Sequence, residues 1–328
     1  MLPLAVTDFT PEFKQEMQIA AGVEVLADLN GFEAHVFRVR RDNRTLILRA
    51  THQIHRSSAQ LAGELEWMTW LADQGASVCR PVAVRDESYC LELGPFILTM
   101  MEEAGGRLIS ASDWTPEFIQ NWGKHLGMLH RSTRGYTPSR PVFKRPEWYE
   151  DNNLQFEQLI PENQSDVRAV CEEVLNTLKR MPTTETHYGL VHCDPHPGNF
   201  FLDGDIITYF DFDDCCYQWF AYDVATALFS AVGQPWMSKA DDAQQAEARR
   251  FLPFFLKGYE SVSPLPSGLL ESLPLFLKLR ELTLYALSFA HATESFHGNS
   301  FDNGFMKGRR EKISRRVPFL LENFTHLY

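Results

Sequence analysis

The sequence predicts an α+β protein of two lobes, in which a small N-terminal lobe with an antiparallel sheet precedes a larger, mainly helical C-terminal lobe. β-rich runs with turn signals dominate before residue 103, whereas apolar residues at helical spacing dominate after it. The 328 residues are 44% hydrophobic, which is enough for two lobes. The polar, glycine-containing run 102–106 is typical of a hinge, so we expect lobes at 1–103 and 104–328.

The N-terminal lobe begins with a predicted β-hairpin. The run AHVFRVRRDNRTLILRAT has two β-rich halves around the turn residues 41–43. A helix is expected next and should end near Gly75, because apolar residues recur at helical spacing at Leu61, Leu65, Met68 and Ala72. Further strands with turns between them are expected over residues 80–102.

The C-terminal lobe should begin with a helix capped by Thr115 and started by Pro116. Residues 165–181 predict a second amphipathic helix. A hairpin should follow over 199–214 with Asp203-Gly204 as its two-residue turn, and the remaining chain is mostly helical by pattern.

The stretch VHCDPHPGNF, residues 191–200, allows three interpretations. It offers zinc ligands at His192, Cys193, Asp194 and His196, but it lacks the usual ligand spacings. Its prolines, glycine and asparagine are also typical of a plain tight turn.

The third interpretation takes in the acids at the end of the following hairpin. A hairpin folds back on itself, so Asp211 can approach Asn199 and Asp194. Carboxylate and amide oxygens together suit Mg²⁺, whose remaining ligands are then usually phosphate oxygens.

The composition argues against several classes of protein. The formal net charge of -12 disfavours binding to nucleic acid, because phosphate binding needs clustered Lys and Arg. Six cysteines without a C-x-x-C pair favour a reducing cytoplasm over a disulfide framework. No segment is long and apolar enough to cross a membrane, so we expect no membrane partner.

Three segments, HCDPHPGNF, YFDFDD and AYDVATAL, together resemble the phosphotransferase family of aminoglycoside phosphotransferases, choline kinase, methylthioribose kinase and type II homoserine kinase. The family pattern is His-x-Asp-x-x-x-x-Asn, a strand ending in Ile-Asp, and a Tyr-Asp-Leu-Ala-like helix start. Phe210 and Val224 depart from it, while the spacing of the acids matches. The resemblance extends from about residue 23 to about residue 291 and implies a protein-kinase-like fold.

The resemblance implies roles for three residues near these segments. Asp194 matches the catalytic Asp that orients or accepts the proton of the attacking hydroxyl. Asn199 and Asp211 match the ligands of Mg²⁺. The alternatives are a turn Asp, a turn Asn and an acid at a strand end.

Nucleotide binding is implied less strongly. Arg49 stands where the family usually has a phosphate-binding Lys, and Glu64 matches its partner, with Glu66 as a rival. Backbone groups near Met100 to Glu102 align with the segment that binds adenine. No G-x-G-x-x-G is present, and Gly31 is the one glycine in the corresponding loop.

Other residues near the motifs have less certain roles. Asp213 is either a contact to metal or substrate or a solvated acid. Asp223 is by pattern a helix N-cap, and the resemblance makes it a brace of the catalytic loop. His192 should pack beneath that loop, and His196 has no assigned role.

The acceptor should bind between the catalytic loop and the C-terminal helices. One helical run there carries Arg280, Glu281, Tyr285 and His291, for which we prefer a core interpretation. Asp213 and Asp214 would favour an amine on the acceptor, while Tyr217, Trp219 and Trp236 offer flat surfaces.

The resulting hypothesis is a cytoplasmic enzyme that moves the γ-phosphate of ATP, with Mg²⁺, to a hydroxyl group of a small molecule. One alternative is a protein Ser/Thr kinase of the stress-response type on the same fold. The other is a relative that binds nucleotide without catalysis, which Arg49 and the missing glycine motif keep open.

Overall fold

The N-terminal lobe is built on an antiparallel sheet. The structure, a computed structural model, describes residues 9–29, 31, 34–237, 240–290, 307–321 and 323–328. The sheet has the strand order β1-β2-β3-β6-β4, and β5 pairs with β6 as well. Its strands are β1 (Glu24–Asp28), β2 (His35–Arg41), β3 (Arg44–His52), β4 (Pro81–Val82), β5 (Cys90–Leu93) and β6 (Phe96–Glu102).

The predicted first hairpin is confirmed. Residues Arg41 and Arg44 are directly paired across it, and the two residues between them, Asp42 and Asn43, have φ of 50° and 61°. Positive φ at both central positions is the turn geometry that suits the right-handed twist of two strands. The hairpin places Arg49 in the middle of β3, beside the central strand β6.

Two helices flank this sheet, α1 (Pro11–Ala21) and α2 (Ser58–Asp73). A capping box starts α2: the Ser57 hydroxyl accepts from the Gln60 N–H, and the Gln60 side chain accepts from the Ser57 N–H. Leu61, Leu65 and Met68 are fully or almost fully buried. Because α2 starts at Ser58, Glu64 lies on the same buried face of the helix as these apolar residues.

The C-terminal lobe is mainly helical. Its helices are α3 (Pro116–Thr133), α4 (Phe156–Leu159), α5 (Ser165–Leu178), α6 (Phe220–Val232), α7 (Asp241–Glu260), α8 (Leu269–Ala290) and α9 (Arg309–Ser314). Thr115 caps α3 as predicted, accepting from the Phe118 N–H. Helices α3 and α7 lie in close contact: a β-carbon on Gly258 would lie 1.7 Å from the Gln120 carbonyl oxygen.

The C-terminal lobe also contains two short pairs of antiparallel strands. Strand β7 (Tyr188–Val191) pairs with β10 (Cys216–Trp219), and β8 (Phe200–Asp203) pairs with β9 (Ile206–Tyr209). Asp203 is paired with Ile206, so the turn is Gly204-Asp205 and the predicted turn was wrong by one residue. The left-handed φ of 57° at Gly204 agrees with the observed register.

The two-lobed α+β prediction is confirmed, and its connections explain where the polar motifs meet. The loop 192–199 joins β7 to β8, and the segment 210–215 joins β9 to β10. The Phe210 N–H donates to the Asn199 carbonyl at 3.0 Å, which holds the two segments side by side. Within the described residues, no helix has the length and apolar character needed to span a membrane.

Candidate active site

The loop 192–199 is a tight bend held by its own backbone. Cys193 has a φ of 69°, which is uncommon for a residue with a side chain. The His196 N–H donates to the Asp194 carbonyl, and the Asn199 N–H donates to the His196 carbonyl, both at 2.8 Å. A β-carbon on Gly198 would lie 2.5 Å from His196 Cε1, so the imidazole can fold over the loop because residue 198 is glycine.

Asp223 braces this loop from beneath. Its fully buried carboxylate accepts the N–H of His192 at 3.0 Å, the N–H of Cys193 at 2.8 Å and Nε2–H of His130 at 3.0 Å. The N-cap position of α6 belongs to Trp219, so the N-cap prediction for Asp223 was wrong. The bracing role implied by the family resemblance agrees with these contacts.

Asp223→Asn should lower the free energy of unfolding by about 3 kcal/mol, because a neutral amide cannot accept from three buried donors. Tyr259→Phe is the matched control. It removes one outer hydrogen bond to His130 and should cost about 1 kcal/mol. Urea unfolding measures both, and equal losses would refute the bracing role.

His192 packs beneath the loop, as predicted. Its Nε2–H donates to the Phe210 carbonyl at 3.0 Å, and its Nδ1 accepts from the Asp194 N–H at 3.3 Å. The ring lies 4.4 Å from the Phe212 ring, centroid to centroid. His192 thereby ties the Asp194 backbone to the segment that carries Asp211.

The Asp194 carboxylate is held at both oxygens. Asn199 Nδ2 donates to Oδ2 at 3.0 Å, His196 Nε2 lies 3.2 Å from Oδ2, and a nitrogen of Arg280 donates to Oδ1. Burial would raise the pKa of Asp194, but the charge of Arg280 and then the contact with His196 hold this pKa well below its usual range. The group is therefore an oriented carboxylate at neutral pH.

Asn199 and Asp211 supply oxygen atoms suited to a hard cation. The Asn199 amide nitrogen is committed to Asp194, and within the described residues no hydrogen bond is made to Asn199 Oδ1 or to the Asp211 carboxylate. Asp211 has a φ of 62° and is open to solvent. Surrounding protein and then the Asp213 charge nevertheless raise its pKa to about 7, an environment that favours a bound cation.

This donor set fits Mg²⁺ better than zinc. Among the residues that the structure describes, no group of three or more His, Cys, Asp or Glu side chains is arranged to hold a metal ion. Two oxygen ligands are few for an all-protein site, but Mg²⁺ commonly keeps waters and phosphate oxygens as its other ligands.

Arg49 and Glu64 form a buried pair. A nitrogen of Arg49 lies 2.8 Å and 2.9 Å from the two Glu64 oxygens, and Glu64 is fully buried. Burial would lower the pKa of Arg49, but the Glu64 charge raises it above its usual value. The rival Glu66 bonds Tyr136 and Ser139 instead. The solvated-face alternative for Glu64 was therefore wrong.

Asp213 joins the two lobes. Its carboxylate lies 2.8 Å from His55 Nε2, 3.0 Å from Arg56 and 3.9 Å from Arg49. Its carbonyl accepts from Arg145 at 2.5 Å. Asp213 is 7% exposed, and the charge of Arg56 holds its pKa well below the usual range despite burial. The solvated-acid alternative was wrong.

Asp213→Asn should lower the free energy of unfolding by about 3 to 5 kcal/mol, since it takes from the buried Arg56 guanidinium its nearest carboxylate, at 3.0 Å. Asp214→Asn is the matched control in the next residue. Its side chain is 28% exposed and lies 3.5 Å from Arg56, so the expected cost is below about 1 kcal/mol. Thermal or urea unfolding of the two variants measures the difference, and similar losses would contradict the role of Asp213 as the link.

The predicted adenine segment lies at the end of β6. Met100 is paired with Leu48 on one side and Val82 on the other, and the Glu102 N–H donates to the Arg80 carbonyl. The Met100 side chain is buried in the core of the N-terminal lobe. Residues 103–105 follow the end of the strand, so their peptide groups are better placed for a ligand than that of Met100.

The acceptor side differs from the sequence prediction at two residues, Arg280 and Trp219. Glu281 and Tyr285 are buried core residues, as preferred, whereas Arg280 reaches Asp194 and the core interpretation was wrong for it. His291 lies outside the described residues. Trp219 is buried at 2% exposure, so it offers no open flat surface.

Sequence reasoning missed four further residues of the site, namely His55, Arg56, Arg145 and Asp151. The first three bind Asp213, and Asp151 is a neighbour of Asp214 in the same cleft. No motif or spacing marks them. The only hint in the sequence is that His55 and Arg56 are two adjacent basic residues just before the start of α2.

Comparison with known proteins identifies the family. The model of the phosphotransferase enzyme family matches residues 24–265. The amicoumacin kinase of Bacillus subtilis (strain 168) is 37% identical over 314 residues, covering 93% of this chain and 90% of that protein.

Two solved structures show the same architecture. An amicoumacin kinase in complex with AMP-PNP, Ca²⁺ and Ami has a TM-score of 0.85 and 31% identity, covering 98% of this chain and 93% of that one. A microcompartment-associated aminopropanol kinase has a TM-score of 0.72 at 22% identity, covering 93% and 97%, which shows the shared fold. The chain therefore has ATP-dependent phosphotransferase activity toward small molecules, and it belongs to the phosphotransferase enzyme family.

Proposed function

We propose that the chain uses ATP and a divalent metal ion, Mg²⁺, to phosphorylate a hydroxyl group of amicoumacin or a closely related compound. The observation that carries the proposal is the Asp194 carboxylate, oriented by three donors beside Asn199 and the segment of Asp211. The similarities to two amicoumacin kinases support this acceptor, because they cover 93% and 98% of this chain.

In this proposal Asp194 is the catalytic residue. Its carboxylate accepts a hydrogen bond from the acceptor hydroxyl, directs that oxygen at the γ-phosphorus and takes up the proton as the phosphoryl group transfers. Asn199 Oδ1 and the Asp211 carboxylate would hold the metal ion, which would supply positive charge to the phosphate oxygens.

The nucleotide lies between the sheet and the C-terminal lobe. Arg49 binds its phosphates from β3, and Glu64 holds the Arg49 side chain in place through two short contacts. The adenine ring would bind at the end of β6, near Glu102, and would be bonded by the peptide groups that follow this strand. Support for this placement comes from the strand geometry and the family resemblance.

Acidic groups near Asp194 favour an acceptor with a cationic group. Asp213 is committed to the lobe link, so the remaining acids are Asp214, which is 28% exposed beside Arg56 and Asn153, and its neighbour Asp151. Burial and then the Asp214 charge raise the pKa of Asp151 to about 6, which means that a cation bound there would be stabilised by both acids.

The alternatives have less support. The relatives named above are small-molecule kinases, which does not favour a protein substrate. A relative without catalysis would not need an oriented Asp194 and a buried Arg49–Glu64 pair. All six cysteines are free, which supports work in the cytoplasm, and the acidic surface supports the absence of a nucleic-acid partner.

The test is a direct assay with purified protein, ATP and Mg²⁺. Amicoumacin, homoserine, aminopropanol and a generic protein substrate are offered separately, and ADP release and the mass of the product are measured. We expect phosphorylated amicoumacin to form, and formation to stop in Asp194→Asn. ADP release with aminopropanol or homoserine alone would refute the acceptor but keep the activity, and labelling of the protein substrate alone would support the protein-kinase alternative.

A further inference from the structure

Helix α8 places a buried arginine on the catalytic carboxylate. The Arg280 side chain is 11% exposed, and its Nη2 donates to Asp194 Oδ1. Tyr222 is buried on α6 near this guanidinium. The next residue along α6 is Asp223, the brace of the loop backbone. Helix α6 therefore supports the backbone of the loop, while Arg280 reaches the loop's carboxylate from α8.

The other donors to Asp194 come from the loop itself. His196 Nδ1 accepts the Gly198 N–H at 2.9 Å, so its proton is on Nε2, which faces Asp194 Oδ2. Asn199 Nδ2 donates to the same oxygen at 3.0 Å. Among the described residues, Arg280 is the donor that reaches Oδ1 from outside the loop.

This arrangement decides how freely the carboxylate can rotate. The terminal torsion of an aspartate is broad, so donors on one oxygen alone leave the plane of the group loosely defined. A guanidinium on the second oxygen fixes that plane, and a charged donor makes a stronger bond than a neutral one. A misplacement of about 1 Å can cost about a hundredfold in rate, so the orientation matters for transfer.

We propose that Arg280 is a positioning residue for phosphoryl transfer, which fixes the plane of the Asp194 carboxylate and ties it to α8 on the acceptor side of the cleft. The proposal rests on the proposed function in one respect, namely that Asp194 orients the attacking oxygen. Arg280 lies on a helix distant in sequence from the loop. It affects the rate by orienting Asp194 and not by binding the nucleotide.

The test compares Arg280→Met and Arg280→Lys with the matched control Arg309→Met. Arg309 has similar exposure, 13%, and pairs with the buried Glu281, the neighbour of Arg280 on α8, without touching Asp194. We expect Arg280→Met to lower kcat about 30- to 100-fold with KM for ATP changed less than about threefold. Arg280→Lys should recover part of kcat because it restores a charged donor without the planar fork. Arg309→Met should keep kcat.

Each rate is measured with amicoumacin and, without acceptor, as ATP hydrolysis by water. If wild type does not phosphorylate amicoumacin, the proposed acceptor is wrong, and the Arg280 comparison is still decided by hydrolysis. Arg280→Met with kcat close to wild type would overturn the proposal. So would equal losses in Arg280→Met and Arg309→Met, or a rise in KM for ATP as large as the fall in kcat. Urea unfolding identifies a variant that fails to fold, in which case Arg280→Lys decides.

Discussion

Asp194→Asn is expected to lower phosphoryl transfer by about 10²- to 10⁴-fold while leaving the affinity for Mg²⁺–ATP almost unchanged. The loss follows because an amide cannot accept the proton of the acceptor hydroxyl, whereas the one oxygen of asparagine can still accept from Arg280 on the side where Oδ1 lies. The change therefore removes the chemistry while keeping most of the local geometry. The measurement is the rate of product formation, together with calorimetric titration of ATP in the presence of Mg²⁺.

The matched control is Asp214→Asn, the same chemical change in the same cleft. Asp214 is held by Asn153 and Arg56, and the structure gives it no contact to the catalytic loop. This variant should keep the wild-type kcat for ATP turnover. Any change should be confined to KM for an amine-bearing acceptor. Turnover retained in Asp194→Asn would show that the catalytic acid lies elsewhere.

Asp211→Ala is expected to abolish the dependence of ATP binding on Mg²⁺ and to weaken Mg²⁺–ATP binding by at least about 10- to 100-fold. The Asp211 carboxylate makes no hydrogen bond within the described residues, and the surrounding protein and then the Asp213 charge already raise its pKa and disfavour its charged form. The variant should therefore fold as well as wild type. Titration of ATP with and without Mg²⁺ measures the effect.

Asp205→Ala is the control for this prediction. Asp205 is an exposed acid in the turn between β8 and β9, six positions before Asp211, and its loss removes the same charge from the same hairpin. This control should keep the metal dependence. An unchanged metal dependence in Asp211→Ala would place the metal ion at another site.

Local features were predictable from the sequence because the signals that encode them are local. Asp42-Asn43 has the residues that a hairpin turn with two positive φ values needs, and Thr115-Pro116 is a helix start by its own chemistry. The loop 192–199 could be singled out as the candidate catalytic loop from its motif, since the spacing of that motif is carried within a few residues. Such signals do not depend on what the segment packs against.

Two wrong predictions concern features that pairing and packing with other segments decide. The hairpin turn was misplaced by one residue, because Asp203-Gly204 and Gly204-Asp205 are both good turn pairs and cross-strand pairing chooses between them. Asp223 was expected to cap α6, but the helix starts at Phe220, three residues before Asp223. The buried carboxylate of Asp223 faces the loop backbone instead.

By itself, the sequence determined the first hairpin, the helices α2, α3 and α5, the two-lobed α+β class, and the loop that carries Asp194 and Asn199, because each depends on patterns within a short window. Only the tertiary structure decided that Arg280 holds Asp194 and that Asp213 binds side chains from the other lobe. Partners so far apart in sequence leave no spacing to recognise. Their choice follows from burial, since a charged group removed from water must find an opposite charge among whatever groups the fold brings near.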